Sequence, residues 1–267
     1  MFSMDGRVRV GCSGYSYPEW IGPFYPEGTA RQELLARYAE HFDLLEVSHT
    51  YYRLPAASAM ERLVRRTRGG VRFTVRLPAV LTRGGQADPA AIRSFTEALV
   101  PLREAGVLAA ALAEFPRAFE ARRASALHVT WLQRQLGDLP LAVELRAGGW
   151  ARPRVYEWLQ RRGIALCSVD QPRLPGLFPS AALATGPLAY VRFHGRNVAR
   201  WGLDEDPGDR YAYRYEDAEL LPWVERVGQL ARRCEEVLVV FHNHRDGEAP
   251  RAALRFLEML QQAGARS

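Results

Sequence analysis

Leu188-Ala189-Tyr190-Val191-Arg192-Phe193-His194 alternates in character residue by residue. Side chains along a strand point to opposite faces in turn. Val191 and Phe193 therefore make an apolar face suited to packing under helices. Tyr190, Arg192 and His194 make the other face, which becomes more polar toward its C-terminal end. A charged inner face is tolerated in a closed barrel near an open end of the interior, where desolvation is incomplete. Three other stretches repeat the pattern. Ala142, Glu144 and Arg146 oppose Val143 and Leu145, and Leu44, Glu46 and Ser48 oppose Leu45 and Val47. Arg72, Thr74 and Arg76 oppose Val71, Phe73 and Val75. In Phe241-His242-Asn243-His244 the chain turns abruptly from apolar to polar.

Working outward, short β-branched and apolar runs predict strands at Arg7–Cys12, Asp43–Val47, Val71–Leu77, Val107–Leu112, Leu141–Leu145, Ile164–Val169, Leu188–Phe193 and Val237–His242. Between them, helical periodicity predicts Ala30–His41, Ala57–Arg68, Pro89–Glu104, Arg122–Gln135, Arg154–Arg161, Asp217–Arg233 and Pro250–Gln262. Gln171–Pro187 contains four prolines and reads as loop with at most a short helix. Strands alternating with helices pair in parallel through right-handed crossovers, and eight is the number that closes such a barrel. The expectation is one α/β domain over 1–267, a (β/α)8 barrel of the TIM type. The rival, an open doubly wound sheet, usually carries a glycine-rich phosphate fingerprint after its first strand. Gly11-Cys12-Ser13-Gly14-Tyr15-Ser16 does not have that spacing. Two long connections, Ser13–Thr29 and His194–Glu216, have their own aromatic and charged composition and are candidate functional loops.

The 267 residues include no lysine, so all 36 basic residues are arginine. Schiff-base and covalent pyridoxal chemistry need a lysine amine and are excluded. Arginine stays charged, so it clamps anions and serves poorly as a base. The net charge of +6 favours anionic partners. Cys12, Cys167 and Cys234 have no metal-type spacing and cannot form an even disulfide set, so a reducing cytoplasm is the expected compartment. The N-terminal MFSMDGRVRV lacks the apolar run of a signal peptide, and no segment approaches the ~20 apolar residues of a membrane span. No P-loop, G-x-S-x-G elbow or zinc-ribbon spacing occurs.

Polar residues from several strands thus converge at the C-terminal end of the barrel, the face where such folds place their active sites. Arg53, Arg76, Arg146, Arg192 and Arg196 are candidate clamps for the oxyanions of a small phosphate- or carboxylate-bearing ligand, because guanidinium forks match both groups. His194, whose ordinary pKa lies near neutrality, is the candidate acid–base group, with Glu46 and Glu144 as acid and base or as groups that orient the arginines. Tyr15, Tyr17 and Trp20 are candidates for a lid over the ligand. A divalent metal stays open, since Glu46, Glu144, Asp170, His194, His242 and His244 are oxygen and imidazole donors near strand ends, although no zinc motif spacing links them. Two other functions also stay open. One is nucleic-acid binding or repair chemistry, using the arginines with Tyr51, Tyr52, Trp201, Tyr211 and Tyr213. The other is a non-catalytic metabolite binder.

Five motifs together resemble the domain of unknown function 72 (DUF72), or YecE-like, family. They are Gly11-Cys12-Ser13-Gly14-Tyr15-Ser16-Tyr17-Pro18-Glu19-Trp20 with Phe24-Tyr25-Pro26, Leu45 through Pro55, Val143-Glu144-Leu145-Arg146 with Trp150, Tyr190 through Arg196, and Phe241-His242-Asn243. The resemblance runs to about Ala253 and implies a TIM-type barrel but no established reaction. It adds Asn243, at the end of the eighth strand, to the candidate ligand-binding residues. The chain departs from the family pattern at Arg76, where a lysine is usual, at Glu114, where a glutamine is usual, and at Arg83 and Ala147, where histidines are usual.

Overall fold

A computed structural model describes residues 8–83, 88–201 and 211–264. Arg7, expected to open the first strand, and part of the His194–Glu216 connection lie outside the described residues. Eight parallel strands close into a barrel in sequential order: β1 Val8–Ser13, β2 Leu44–Val47, β3 Arg72–Arg76, β4 Leu108–Phe115, β5 Leu141–Leu145, β6 Ala165–Asp170, β7 Leu188–Phe193 and β8 Glu236–Phe241. The crossovers carry α1 Leu34–Ala39, α2 Ala57–Thr67, α3 Ala79–Thr82, α4 Pro89–Ala98, α5 Val100–Glu104, α6 Arg123–Leu136, α7 Pro153–Gln160 and α8 Asp217–Ala231, and α9 Glu248–Gly264 follows β8.

The expected elements differ from these in instructive places. The single helix expected over Pro89–Glu104 is two, α4 and α5, meeting at Leu99, because Pro101 has no N–H to continue the ladder. Asp88 caps α4, its carboxylate accepting from the Ala90 N–H. The fourth strand, expected to stop at Leu112, continues to Phe115. Its low side-chain volume hides the period, but Ala110, Leu112 and Glu114 alternate with Ala111, Ala113 and Phe115. The β6–β7 connection has no helix. There the Thr185 hydroxyl accepts from the Leu166 N–H and donates to the Ile164 carbonyl, standing in for a neighbouring strand.

Two apolar layers result. The outer layer packs Val10, Phe73, Val143, Val191, Phe193, Val239 and Phe241 of the strands against helix residues such as Met60, Phe95, Leu132, Trp223 and Phe256. The inner layer fills the barrel with Leu44, Leu112, Ala142, Cys167, Tyr190, Leu238 and Val240, among others. At the N-terminal end Arg9 pairs with Glu236 and Asp43, and Arg72 also pairs with Glu236, closing the bottom with solvent-contacting charges. The interior is therefore packed from below, and the buried polar side chains gather at the C-terminal end.

Closure at the β1–β2 seam depends on Gly11. A Cβ there would sit 1.9 Å from the Leu44 carbonyl oxygen and 2.8 Å from the Tyr38 hydroxyl. That hydroxyl accepts from the Cys12 N–H and donates to the Leu44 carbonyl, stitching α1 to the seam. Gly11→Ala is expected to lose about 3 kcal/mol of stability through overpacking, measured as a fall in urea midpoint. An unchanged midpoint would contradict the seam geometry.

Candidate functional site

At the C-terminal end, six strands contribute to one buried charge network. Arg192 of β7 is its centre, with no solvent exposure. One terminal nitrogen, Nη1, donates to Glu114 Oε2 at 2.8 Å and to Glu144 Oε2. The other, Nη2, donates to Glu46 Oε1 at 2.7 Å and lies 3.2 Å from His242 Nδ1. Glu46 also accepts from the Ser13 hydroxyl at 2.7 Å and the Tyr190 hydroxyl at 2.8 Å. Tyr190 has one proton, so Thr74, 2.8 Å from the same oxygen, must be the donor to it. Glu114 gathers two further cations, Arg76 at 3.0 Å and Arg146 at 2.6 Å. Arg146 also reaches Glu144 at 3.2 Å. Three guanidinium groups thus meet three carboxylates, and the network is balanced in charge.

Above this layer sits a histidine pair. His194 Nε2 lies 3.1 and 3.2 Å from the two oxygens of Glu144, and His194 Nδ1 is 3.2 Å from His242 Nδ1. His194 is fully buried, whereas His242 retains 6% exposure. Its Nε2 has no hydrogen-bond partner among the described residues. Tyr211 stacks on the His242 ring at 4.1 Å.

The environment sets the protonation states. Burial alone would raise Glu114, but Arg146 and Arg76 beside it pull its carboxyl down to about 2. Burial likewise works against ionised Glu144, and His194 and Arg192 overcome it, holding this group well below the carboxylate range. Burial lowers His194 more than Glu144 raises it. Burial and the Arg192 charge push His242 well below the ordinary imidazole value. Glu114 and Glu144 are therefore held ionised, and both imidazoles are held neutral.

The structure brings together Glu46, Glu144, Arg76, Arg146, Arg192 and His194, as the strand alternation predicts. It adds Glu114 and His242. Glu114 lies beyond the expected end of the fourth strand, and the Ala–Leu–Glu alternation was the signal that places it inside. His242, weighed in the sequence only as a metal donor, stands between His194 and the mouth. Several expectations need correction. Arg192 cannot clamp a ligand, because its terminal nitrogens are committed to four groups and it has no exposure. Arg196 turns to a separate network, forking onto both oxygens of Asp170 at 2.8 and 2.7 Å and reaching Glu219. Tyr215 and Trp223 donate to the same Asp170, which leaves this carboxylate fully engaged. Trp20 is buried, and its indole N–H donates to the His244 carbonyl, so it anchors the first loop rather than covering a ligand. Tyr17 donates to the Ser13 carbonyl and stacks on His244 at 4.6 Å. Tyr15 is half-buried along a neighbouring cleft. Arg53 is exposed outside the ion-pair network. Asn243 donates to the Tyr213 carbonyl, and its own buried Oδ1 has no partner. Among the described residues, no group of three His, Cys, Asp or Glu side chains is arranged to hold a metal. Nor is any described helix long and apolar enough to cross a membrane.

A closed eight-stranded parallel barrel, with a polar cluster at the strand C-termini, defines a single-domain TIM-type (β/α)8 barrel. The chain belongs to the DUF72 family: the family model described as "Protein of unknown function DUF72" matches residues 9–267. It is 30% identical over 270 residues to the UPF0759 protein YunF of Bacillus subtilis (strain 168), covering 95% of this chain and 94% of that protein. A crystal structure of a DUF72 family protein from Thermotoga maritima MSB8 aligns with a TM-score of 0.88 at 36% identity, over 95% of this chain and 99% of that one. A DUF72 family protein from Enterococcus faecalis V583 aligns with a TM-score of 0.85 at 27% identity, over 95% of each chain.

The protonation pattern has a sign. Glu114 and Glu144 lie below the ordinary carboxylate value of 4.5, and His194 and His242 below the imidazole value of 6.5. All four bind protons more tightly in the unfolded chain, so stability rises with pH. This contribution is complete above the unfolded values. It is lost as pH falls, first below 6.5, where the imidazoles resist charging, and then from 4.5 down to about 2, where the glutamates must protonate. Urea midpoints are expected to fall through both windows, with Glu114→Gln shrinking the lower one. A midpoint level through both windows would contradict these states.

Proposed function

We propose that the barrel mouth is an active site that moves a proton on a small anionic ligand, with His242 touching the ligand and His194 and Glu144 positioning it. The observation that carries this is the 3.2 Å approach of the two Nδ1 atoms, with Glu144 behind one ring and Arg192 beside the other. Glu144 is ionised, so His194 keeps its proton on Nε2 and presents a lone pair at Nδ1. His242 then has two tautomers. With its proton on Nε2, its Nδ1 accepts from Arg192 and its outer nitrogen is an acid. With the proton on Nδ1, that nitrogen donates to His194 and the outer nitrogen is a base. The two states exchange one hydrogen bond for another inside the same cage, so His242 can give or take a proton at the mouth. If His242 gains a second proton, its Nδ1–H points at His194, with the Glu144 charge behind. A carboxylate that fixes an imidazole's orientation and supports its charged form acts in the same way in hydrolytic triads.

Arg76 and Arg146 support the anionic character of the ligand. Their side chains, 10% and 15% exposed, are the guanidinium groups of the network that reach the mouth. Charge balance means they orient an anion rather than concentrate anions strongly.

The test is turnover of an anionic metabolite pool, followed by mass spectrometry. The wild-type protein is expected to consume a component, and His242→Asn to slow that consumption about 10²–10⁴-fold, the usual range for loss of a general acid or base, with its thermal melt unchanged. Wild-type turnover that His242→Asn does not alter, or no consumption by the wild type, counts against the proposal.

A second reading, contact with a single-stranded nucleic acid, is supported by the rim. Tyr52 is 78% exposed and packs edge-on against Tyr51 at 5.2 Å. Arg76 lies 3.8 Å over the Tyr51 ring, and Arg83 is bonded to its hydroxyl at 3.1 Å. An exposed ring beside a second ring that holds guanidinium groups can stack a base near its phosphate. Salt-sensitive retardation of an oligonucleotide is expected, with Tyr52→Ala weakening it by about 1–3 kcal/mol. No retardation at low salt eliminates this reading.

A further inference from the structure

A large cleft at the C-terminal end is not centred on the buried network. It lies to one side, between the β1–α1 loop and the start of the β2–α2 connection, and encloses about 960 Å³. That volume is at the upper end for small-molecule sites. Its walls include Tyr15, Tyr17, Arg31, His49 and Arg66.

The charge of this cleft differs in kind from that of the network. Glu46 is the one carboxylate among its lining residues, and both Glu46 oxygens are already taken, by Ser13 and Arg192 on one side and Tyr190 on the other. Arg31 and Arg66 form no ion pair with any described residue. Burial raises the Tyr15 phenol above its ordinary value, and the Arg66, Arg31 and Arg62 charges oppose that rise. The Tyr15 hydroxyl is half-buried and bonds to no described group. Two guanidinium groups and a phenol hydroxyl thus line a concave space whose one carboxylate is already engaged. Arginine forks match tetrahedral oxyanions, and several of them together favour a dianion over a singly charged carboxylate.

We propose that this cleft binds the phosphate of a small phosphomonoester, through Arg31, Arg66 and the Tyr15 hydroxyl. The assignment rests on the acid–base reading only for the destination of the rest of the ligand. Tyr17 is the shared wall: it lines the cleft, stacks on His244 at 4.6 Å, and through His244 adjoins Tyr211 and His242. A ligand anchored by its phosphate in the cleft would pass over Tyr17 to bring its reacting end to His242.

Inorganic phosphate is the probe, titrated calorimetrically above neutral pH at fixed ionic strength. One site is expected in the wild-type protein, weakened about tenfold or more in Arg31→Gln and in Arg66→Gln, and weakened less in Tyr15→Phe. Both arginines are exposed, so these variants are expected to melt as the wild type does. His242→Asn is expected to bind phosphate normally, so failure of the acid–base reading would leave this result standing, and the reverse. Three results overturn the proposal: no phosphate binding by the wild type; binding that survives loss of both Arg31 and Arg66; or acetate binding as tightly as phosphate with the same arginine dependence. An oligonucleotide that depends on Arg31 and Arg66 while phosphate does not bind also overturns it, in favour of a phosphodiester.

Discussion

A guanidinium group with no access to water stands at the centre of this barrel. Arg192 cannot shed its proton, so its burial imposes a requirement on every strand around it. The desolvation cost of such a cation is large and is offset only when carboxylates surround it with good geometry. Glu46, Glu114 and Glu144 meet that requirement from β2, β4 and β5. Three buried carboxylates would in turn repel one another, and Arg76 and Arg146 balance them from β3 and the end of β5. The upper layer of the barrel is therefore a single electrostatic unit, in which no member can be removed without leaving a neighbour uncompensated.

This unit has a consequence for chemistry. Because Arg192 and Glu144 are fixed in charge, the groups left free to change protonation are the two imidazoles above them. Burial keeps both neutral, and the cage decides where their protons sit. His242 has one nitrogen inside the cage and one toward the mouth, so a change of partner inside becomes a change of character outside. In the proposed acid–base role, the charge network is a rigid reference for a movable proton. The same balance leaves the network with little net attraction for an anion. Arg31 and Arg66, which pair with no described carboxylate, line the lateral cleft instead, separated from the two histidines by Tyr17. The two proposals together divide attraction and proton transfer between two adjoining spaces.

Charge at the two ends of the barrel serves different purposes. Arg9, Arg72, Asp43 and Glu236 at the bottom are partly solvated and close the interior. The loops around the top are held by specific bonds instead. Trp20 ties the first loop to His244, Asp170 gathers Arg196, Tyr215 and Trp223, and Glu219 joins the start of α8 to Arg196 and Tyr213. The aromatic residues of the long loops serve mainly as anchors of this kind, which is why Trp20 is buried despite sitting in a loop that reads as a lid.

The barrel was legible in the chain because its signals are local. Alternating faces, helical periods and proline-rich breaks depend on near neighbours, and they locate all eight strands and the end at which polarity accumulates. The absence of lysine likewise excludes lysine Schiff-base and covalent pyridoxal chemistry before any fold is known. Glu114 escaped because an alanine-rich strand carries a weak period, and its end is set by pairing with β5 rather than by its own residues. Which arginines face a ligand could not be read locally either. Arg192 and Arg66 are the same residue type, and only the closure of the barrel surrounds one with carboxylates and leaves the other beside an open cleft. The order Glu144, His194, His242 likewise exists only in space, across three strands far apart in sequence. Composition and periodicity determined the architecture and the face, whereas burial and partner choice, which are properties of the closed barrel, decided what each charged residue there can do.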